Sequence, residues 1–181
     1  DPKKKMVLVT GGSLGAGSMN KAMVRWLERV AGWKDVQVIW QCGSYYHKQL
    51  EAELKDRLPE NIKFMPFLKR MDLAYACADL VVARAGAGTI SELCLLGKAV
   101  VLVPSPNVAE DHQTKNAMAL VNKQAAVMVK DSDVVEQLGD VMERLLTNDN
   151  EREALSEHIL TLAMKDSDEV IAKQILEIVG I

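Results

Sequence analysis

"LVVARAGAGTISEL" (residues 80–93) reads as a strand, a turn and the start of a helix in one short run. Leu80 to Arg84 is mostly apolar and β-branched, as a strand covered on both faces requires. Gly86 and Gly88 leave that strand through a turn almost without side chains, and the helix beyond runs to a terminal Gly97. "VTGGSLGAG" (9–17) repeats the arrangement: "MVLVT" (6–10) is a buried strand, 11–17 a glycine turn, and Ser18 to Val30 a helix.

Working outward from these two units, the alternation continues. "VQVIWQC" (36–42) and "NIKFMPF" (61–67) read as strands, with a helix from Ser44 to Leu58 between them and a short one over 69–78. "AVVLVP" (99–104) and "AAVMVK" (125–130) are further strands, separated by a helical stretch over 109–124, and from Asp131 onward the chain is helical in three segments. Continuous apolar strands alternating with helices predict an α/β fold with a parallel sheet covered on both sides. The expectation is one Rossmann-like, doubly wound domain over 1–181, with about six strands. Residues 1–5 form a lead-in, and the helical tail ends in a helix over 166–181. Ligands of such folds bind beyond the carboxyl ends of the strands, so both glycine turns belong to that edge.

With 181 residues, 49% of them apolar, the chain can bury a substantial core. A net charge of −3 and a pI near 5.7 offer no basic face for nucleic acid, and Lys3-Lys4-Lys5 reads as a solvated start. Cys42, Cys77 and Cys94 are odd in number and lack C-x-x-C spacing, which fits a reducing compartment and packed thiols. No signal peptide and no apolar run of about 18 residues is present. The chain begins with Asp rather than Met, as an excised piece of a longer protein does.

A turn from strand to helix presents free backbone N–H groups at the helix start, and these with the helix dipole attract an anion such as phosphate. Gly11, Gly12, Gly15 and Gly17 with Ser13 form one candidate loop; Gly86 and Gly88 with Thr89 form a second. Glycines also simply permit tight turns, but two such loops on one sheet edge favour a nucleotide. The spacing is not G-x-G-x-x-G, the second strand ends "WQCG" without a ribose-binding acid, and no Walker pattern occurs, which argues against a dinucleotide oxidoreductase domain. Glu92 can accept two ribose hydroxyls; Thr89-Ile90-Ser91-Glu92 equally has the form of a capping box.

Other candidates carry less. His47, His112 and His158 have no metal-ligand spacing. "DSD" at 131–133 and 166–168 precedes apolar-periodic segments and reads as helix N-capping. "GGSLG" is not a G-x-S-x-G elbow. "PSPNVAEDHQTKNA" (104–117) is a proline-bounded loop running into a helix rich in polar side chains at the ligand edge, a common place for function.

Together, "GGSLGA", "ARAGAGTISEL" and "VPSPNVAEDHQTKNA", in this order, closely resemble the C-terminal half of the MurG family of glycosyltransferases, over essentially the whole chain. The resemblance implies one half of a GT-B fold that binds UDP-N-acetylglucosamine, without a cofactor. The partner is an N-terminal acceptor domain that receives the lipid-linked acceptor of peptidoglycan synthesis at the cytoplasmic face of the membrane. A stand-alone donor-binding subunit completed by a membrane protein is the alternative. The resemblance puts Gly12, Ser13 and Gly15 against the diphosphate, with Thr89 of the second loop on a phosphate and the Ala87 N–H, beside Gly88, on the sugar. It puts Glu92 on the ribose, the Leu68 backbone on the uracil edge, and Phe67 and Met71 beside the base. Gln113 contacts the sugar hydroxyls with His112 beside it, Asn116 braces the loop, and Arg84 supports the site by charge. Gly17 departs from the family, which commonly has Arg there. No residue of this half is a general base.

Overall fold

Alternate residues of the apolar strands point to opposite faces, and each face has its own helices. The computed structural model describes residues 1–180. Its strands are β1 (Lys5–Thr10), β2 (Val36–Gln41), β3 (Ile62–Met65), β4 (Leu80–Ala83), β5 (Val100–Leu102) and β6 (Val127–Met128). The helices are α1 (Gly17–Val30), α2 (Ser44–Leu54), α3 (Met71–Cys77), α4 (Ala87–Leu96), α5 (His112–Val121), α6 (Val134–Thr147), α7 (Asp149–Leu160) and α8 (Ser167–Val179). The strands form one sheet in the order β3-β2-β1-β4-β5-β6, every neighbouring pair parallel.

Val7, Val9, Val82 and Val101 pack with Met19, Met23, Trp26 and Leu27 of α1, Leu50 of α2 and Leu138 and Met142 of α6. Met6, Leu8, Val81 and Leu102 pack with Tyr75 of α3, Leu93 of α4 and Leu120 of α5. Trp26 is fully buried, and its indole N–H donates to Glu143 Oε1 at 2.9 Å, which locks α1 to α6. Truncating a buried aromatic of this kind costs about 3–5 kcal/mol.

This strand order reverses direction between β1 and β4. Ligands of open parallel sheets sit in the crevice at that point. Thr10 and Ala83, the last residues of the two central strands, are paired partners. Both glycine turns therefore leave the carboxyl edge of the sheet, which is the expectation drawn from the sequence, and the strand order sets them side by side at the switch point.

Some expectations change in detail. Lys5 is part of β1 rather than of a solvated lead-in, because its ammonium is held by Leu146 O at 2.7 Å and Asp149 Oδ1 at 2.6 Å. The helix foreseen over 109–124 is broken: Ala109–Asp111 is a 3-10 turn, Glu110 and Asp111 have φ of 54° and 52°, and α5 begins only at His112. Of the C-terminal helix expected over 166–181, Ser167–Val179 is helical and Ile181 lies outside the described residues. No residue of α8 is buried, and Val170, Ile171, Ile175, Leu176, Ile178 and Val179 all stand exposed. Among the described residues no helix is long and apolar enough to cross a membrane.

Candidate functional site

The first glycine turn is built by backbone conformation that side chains oppose. Gly12 and Gly15 have φ of 85° and 83°, and the Gly15 N–H donates to Gly12 O at 3.0 Å. Two buried polar side chains hold it from below. The Gly12 N–H donates to Thr10 Oγ1 at 3.3 Å, and Gln41 Nε2 donates to Gly12 O at 3.1 Å. Gln41 sits at the end of β2, where a dinucleotide site would have its acid. Its amide serves the turn instead.

Helix α1 begins after this turn at Gly17, and α4 after the second turn at Ala87. Thr89 of α4 lines the crevice, the start of α1 meets the Asp131 carboxylate through Ser18, and neither helix has a side-chain cap or an acidic residue of its own in its first turn. This decides between the two readings of Glu92. The N-cap of α4 is Gly86, so Thr89 lies inside the helix and Thr89–Glu92 is not a capping box. Glu92 is exposed, one turn further along, and its carboxylate meets the phenol of Tyr75. Burial, and then that carboxylate, push the Tyr75 phenol up to about 12.

A cavity of about 350 Å³ joins these groups. Gly12, Ser13, Phe67, Leu68, Met71, Arg84, Thr89 and Glu92, all singled out in the sequence, line it together with Thr10, Gln41, Lys69 and Tyr75. Phe67 is 55% exposed at its mouth. A larger groove of about 490 Å³ lies between α3 and the bare face of β2 and β3, sharing Leu68 with the first. Its lining is mainly apolar, and neither glycine turn reaches it, so the chemistry belongs to the smaller cavity.

Gly15, Ala87, Gly88, His112, Gln113 and Asn116 do not line that cavity. Ala87 and Gly88 are exposed at the start of α4. Asn116 Nδ2 donates to Ala85 O at 3.1 Å, which ties α5 to the second turn. Gln113 Oε1 accepts from the Ser105 N–H at 2.9 Å, and His112 Nδ1 lies 2.9 Å from Ala109 O. The left-handed pair Glu110 and Asp111 immediately precedes these residues. Non-glycine residues held there cost about 1–3 kcal/mol each and cluster at ligand sites.

Arg84 is not a free cation. It bonds Asp131, Ser18 and the carbonyls of Val103 and Pro104. Asp131, read as a cap, is instead the partner of this arginine, while Asp133 and Asp166 occupy the N-cap positions of α6 and α8 without a side-chain hydrogen bond to the helix start; Asp133 Oδ1 accepts from Ser132 Oγ at 2.8 Å. Gly17 also gains a structural account: a Cβ there would lie 3.0 Å from Tyr46 Oη, so a phenol fills the space a longer side chain needs. Thr10, Gln41, Lys69, Tyr75, Ser18 and Asp131 were missed in the sequence. Thr10 and Gln41 could have been found as polar strand ends and Ser18 as a helix start, whereas Lys69, Tyr75 and Asp131 carry no such signal.

The family model of the glycosyltransferase family 28 C-terminal domain matches residues 6–174. The chain is 50% identical over 180 residues to the UDP-N-acetylglucosamine--N-acetylmuramyl-(pentapeptide) pyrophosphoryl-undecaprenol N-acetylglucosamine transferase of Bacteroides fragilis, covering 98% of this chain and 47% of that protein. It is 42% identical over 179 residues to the enzyme of the same name from Flavobacterium psychrophilum, covering 99% of this chain and 48% of that one. The crystal structure of MurG from Acinetobacter baumannii superposes with a TM-score of 0.82 at 29% identity, over 97% of this chain and 52% of that one. The chain thus spans about half the length of the relatives it matches.

Proposed function

The chain belongs to the glycosyltransferase family 28 C-terminal domain family, and on that premise we propose that it is the UDP-N-acetylglucosamine-binding half of an inverting N-acetylglucosaminyltransferase. The acceptor is the polyprenyl-diphosphate-linked muramyl pentapeptide, and the reaction converts lipid I to lipid II in peptidoglycan synthesis. The observation that carries this reading is the pair of glycine turns leaving Thr10 and Ala83, neighbours at the switch point, each feeding an uncapped helix start.

Each group then has a task. Gly12, Ser13 and Gly15 bring backbone and hydroxyl against the diphosphate, and Thr89 bonds it from the second loop. The Ala87 N–H, with Gly88 beside it, faces the sugar. Glu92 takes the ribose hydroxyls, Leu68 meets the uracil edge through its backbone, and Phe67 and Met71 cover the base. Gln113 reads the N-acetylglucosamine hydroxyls through its amide, its Oε1 being engaged by Ser105. His112 stands beside it, and Asn116 holds the loop.

As the bond from the anomeric carbon to the β-phosphate oxygen breaks, negative charge grows on UDP. Backbone N–H groups and two helix dipoles already aimed at that position stabilise it without reorganising. The base that deprotonates the acceptor hydroxyl comes from the half that the relatives possess and this chain does not span. The apolar stripe of α8, Val170 to Val179, is exposed in this chain, which supports its serving as a contact surface for that half. The complete enzyme works peripherally on the cytoplasmic face of the membrane.

Calorimetric titration of the chain with UDP, UDP-N-acetylglucosamine and NAD tests the reading. Binding of the two uridine nucleotides and much weaker binding of NAD is expected. Preferential binding of NAD overturns it.

A further inference from the structure

Arg84 stands at the end of β4 between the two glycine turns, where a cation facing a diphosphate is the natural expectation. Its guanidinium is committed elsewhere. Nη1 donates to Val103 O and Pro104 O, each at 3.1 Å, and to Asp131 Oδ1 at 2.5 Å. Nη2 donates to Ser18 Oγ at 3.1 Å, and that hydroxyl donates in turn to Asp131 Oδ1 at 2.5 Å. The Arg84 and Asp131 side chains are only 17% and 21% exposed. An ion pair so far removed from water holds its geometry firmly, because losing either partner strands a poorly solvated charge.

The places of the acceptors give the arrangement its meaning. Ser18 lies in the first turn of α1, directly after the turn that contains Gly12 and Gly15. Val103 and Pro104 follow β5 and open the loop that leads into α5 with His112, Gln113 and Asn116. Asp131 precedes α6. Arg84 itself begins the turn to Ala87 and Gly88. One planar fork with five N–H donors thus reaches all three ligand-facing loops, which the round ammonium of a lysine cannot do.

We propose that Arg84 is a positioning residue: through Asp131, Ser18 and the carbonyls of Val103 and Pro104 it holds the three loops around the donor diphosphate in register, and Asp131 neutralises its charge. The inference rests on the donor-binding reading. It separates the diphosphate end of the ligand, which these loops surround, from the uridine end, whose contacts lie on Leu68, Met71 and Glu92 outside the network.

The experiment measures UDP and uridine affinity of the unsubstituted chain and of R84K, D131N and S18A, with circular dichroism and a melting curve for each. R84K keeps the charge and loses the fork. D131N keeps the fork and frees the charge. If Arg84 acted on phosphate by charge, R84K would bind UDP normally and D131N would bind it more tightly. The positioning role predicts that both lose UDP affinity by about tenfold or more, while uridine affinity stays within about twofold. S18A removes one link without stranding a charge, so it folds in any case, and a loss of about threefold for UDP alone is expected.

Normal UDP binding by R84K, tighter binding by D131N, an unaffected S18A, or parallel loss of UDP and uridine each overturns the proposal. If the unsubstituted chain binds neither ligand, the donor-binding reading falls and takes this inference with it. If it binds both and the variants match it, the inference alone falls.

Discussion

Two alanine substitutions in the first glycine turn separate what the turn does for folding from what it does for ligand. Gly12 and Gly15 share nearly the same left-handed φ, so alanine at either position costs about 1–2 kcal/mol of backbone strain. Their surroundings differ. A Cβ on Gly12 meets nothing within 4 Å. A Cβ on Gly15 falls 2.0 Å from Cys42 O, 2.8 Å from Cys42 C and 2.9 Å from Gly43 Cα, all of them backbone atoms at the end of β2. Those atoms cannot rotate away, so the turn and the β2 end must separate by more than an ångström, and the Gly12 O bond to Gln41 goes with them.

For a chain of this size 1 kcal/mol shifts the melting temperature by about 2–4 °C. G12A is therefore expected to melt about 2–8 °C lower and to remain folded. G15A should lose about 4 kcal/mol or more, in the exceptional tail for a single substitution, and melt at least about 8 °C lower or fail to fold. UDP binding should respond in the opposite order among folded chains. The methyl of G12A occupies the open space above the turn, where a phosphate must approach the backbone closely, and affinity should fall by at least about tenfold. Differential scanning calorimetry and UDP titration measure both quantities. A G15A chain melting within a few degrees of the unsubstituted one, or a G12A chain with undiminished UDP affinity, refutes the reasoning.

Glu92→Gln should weaken UDP by about 1.5–3 kcal/mol, the worth of hydrogen bonds to a charged acceptor, and leave the melting temperature almost unchanged because Glu92 caps nothing; the reverse pattern in titration and melting contradicts the ribose role. At alkaline pH, Tyr75 and Cys42 have folded values pushed by burial up to about 12 and about 11, above their ordinary values of 10.0 and 9.0. The folded chain therefore holds protons that the unfolded chain releases, and this contribution is complete below about pH 9 and lost as pH rises through about 11 to 12. Urea midpoints measured across that interval should fall, and a flat or rising series is inconsistent with it. A disulfide-exchange reagent at about pH 8 should titrate exposed Cys77 in the native chain and reach buried Cys42 and Cys94 only after unfolding; more than one reactive thiol in the native state contradicts this. The chain alone should show no transfer of radiolabelled sugar to a lipid acceptor. A half-site lacks the proximity and orientation that account for about 7–11 kcal/mol of a barrier, and robust turnover by these residues alone disproves the division of labour.

Local pattern was enough for much of this protein. Strands such as "LVVAR" and "VVL" must be buried on both sides wherever they pair, so their order with intervening helices dictates a parallel α/β sheet before any contact is known. Two glycine turns, each between a strand and a helix, likewise announce backbone meant for close approach. Gly97 marked the end of α4 because glycine takes the left-handed C-cap, where φ is 60°, without the strain of a Cβ. What local pattern could not decide are the pairings between distant segments. Thr89-x-x-Glu92 has capping-box spacing, yet α4 begins at Ala87 with Gly86 as its N-cap, so both residues lie inside the helix, where Leu93 and Cys94 pack into the core beside them. "DSD" at 131–133 looks like a cap from its neighbours alone. Its first aspartate belongs to Arg84, forty-seven positions away, and to Ser18, because the strand order brings the ends of β4 and β5 and the start of α1 to one place. Gln41 was legible only as a missing acid until the register set it beneath Gly12. Short-range sequence determines which segments can be strands, turns and helix starts, since those depend on steric freedom and apolar spacing. Which charges are neutralised and which side chains hold a loop depends on distances across the sheet, and those exist only in the folded chain.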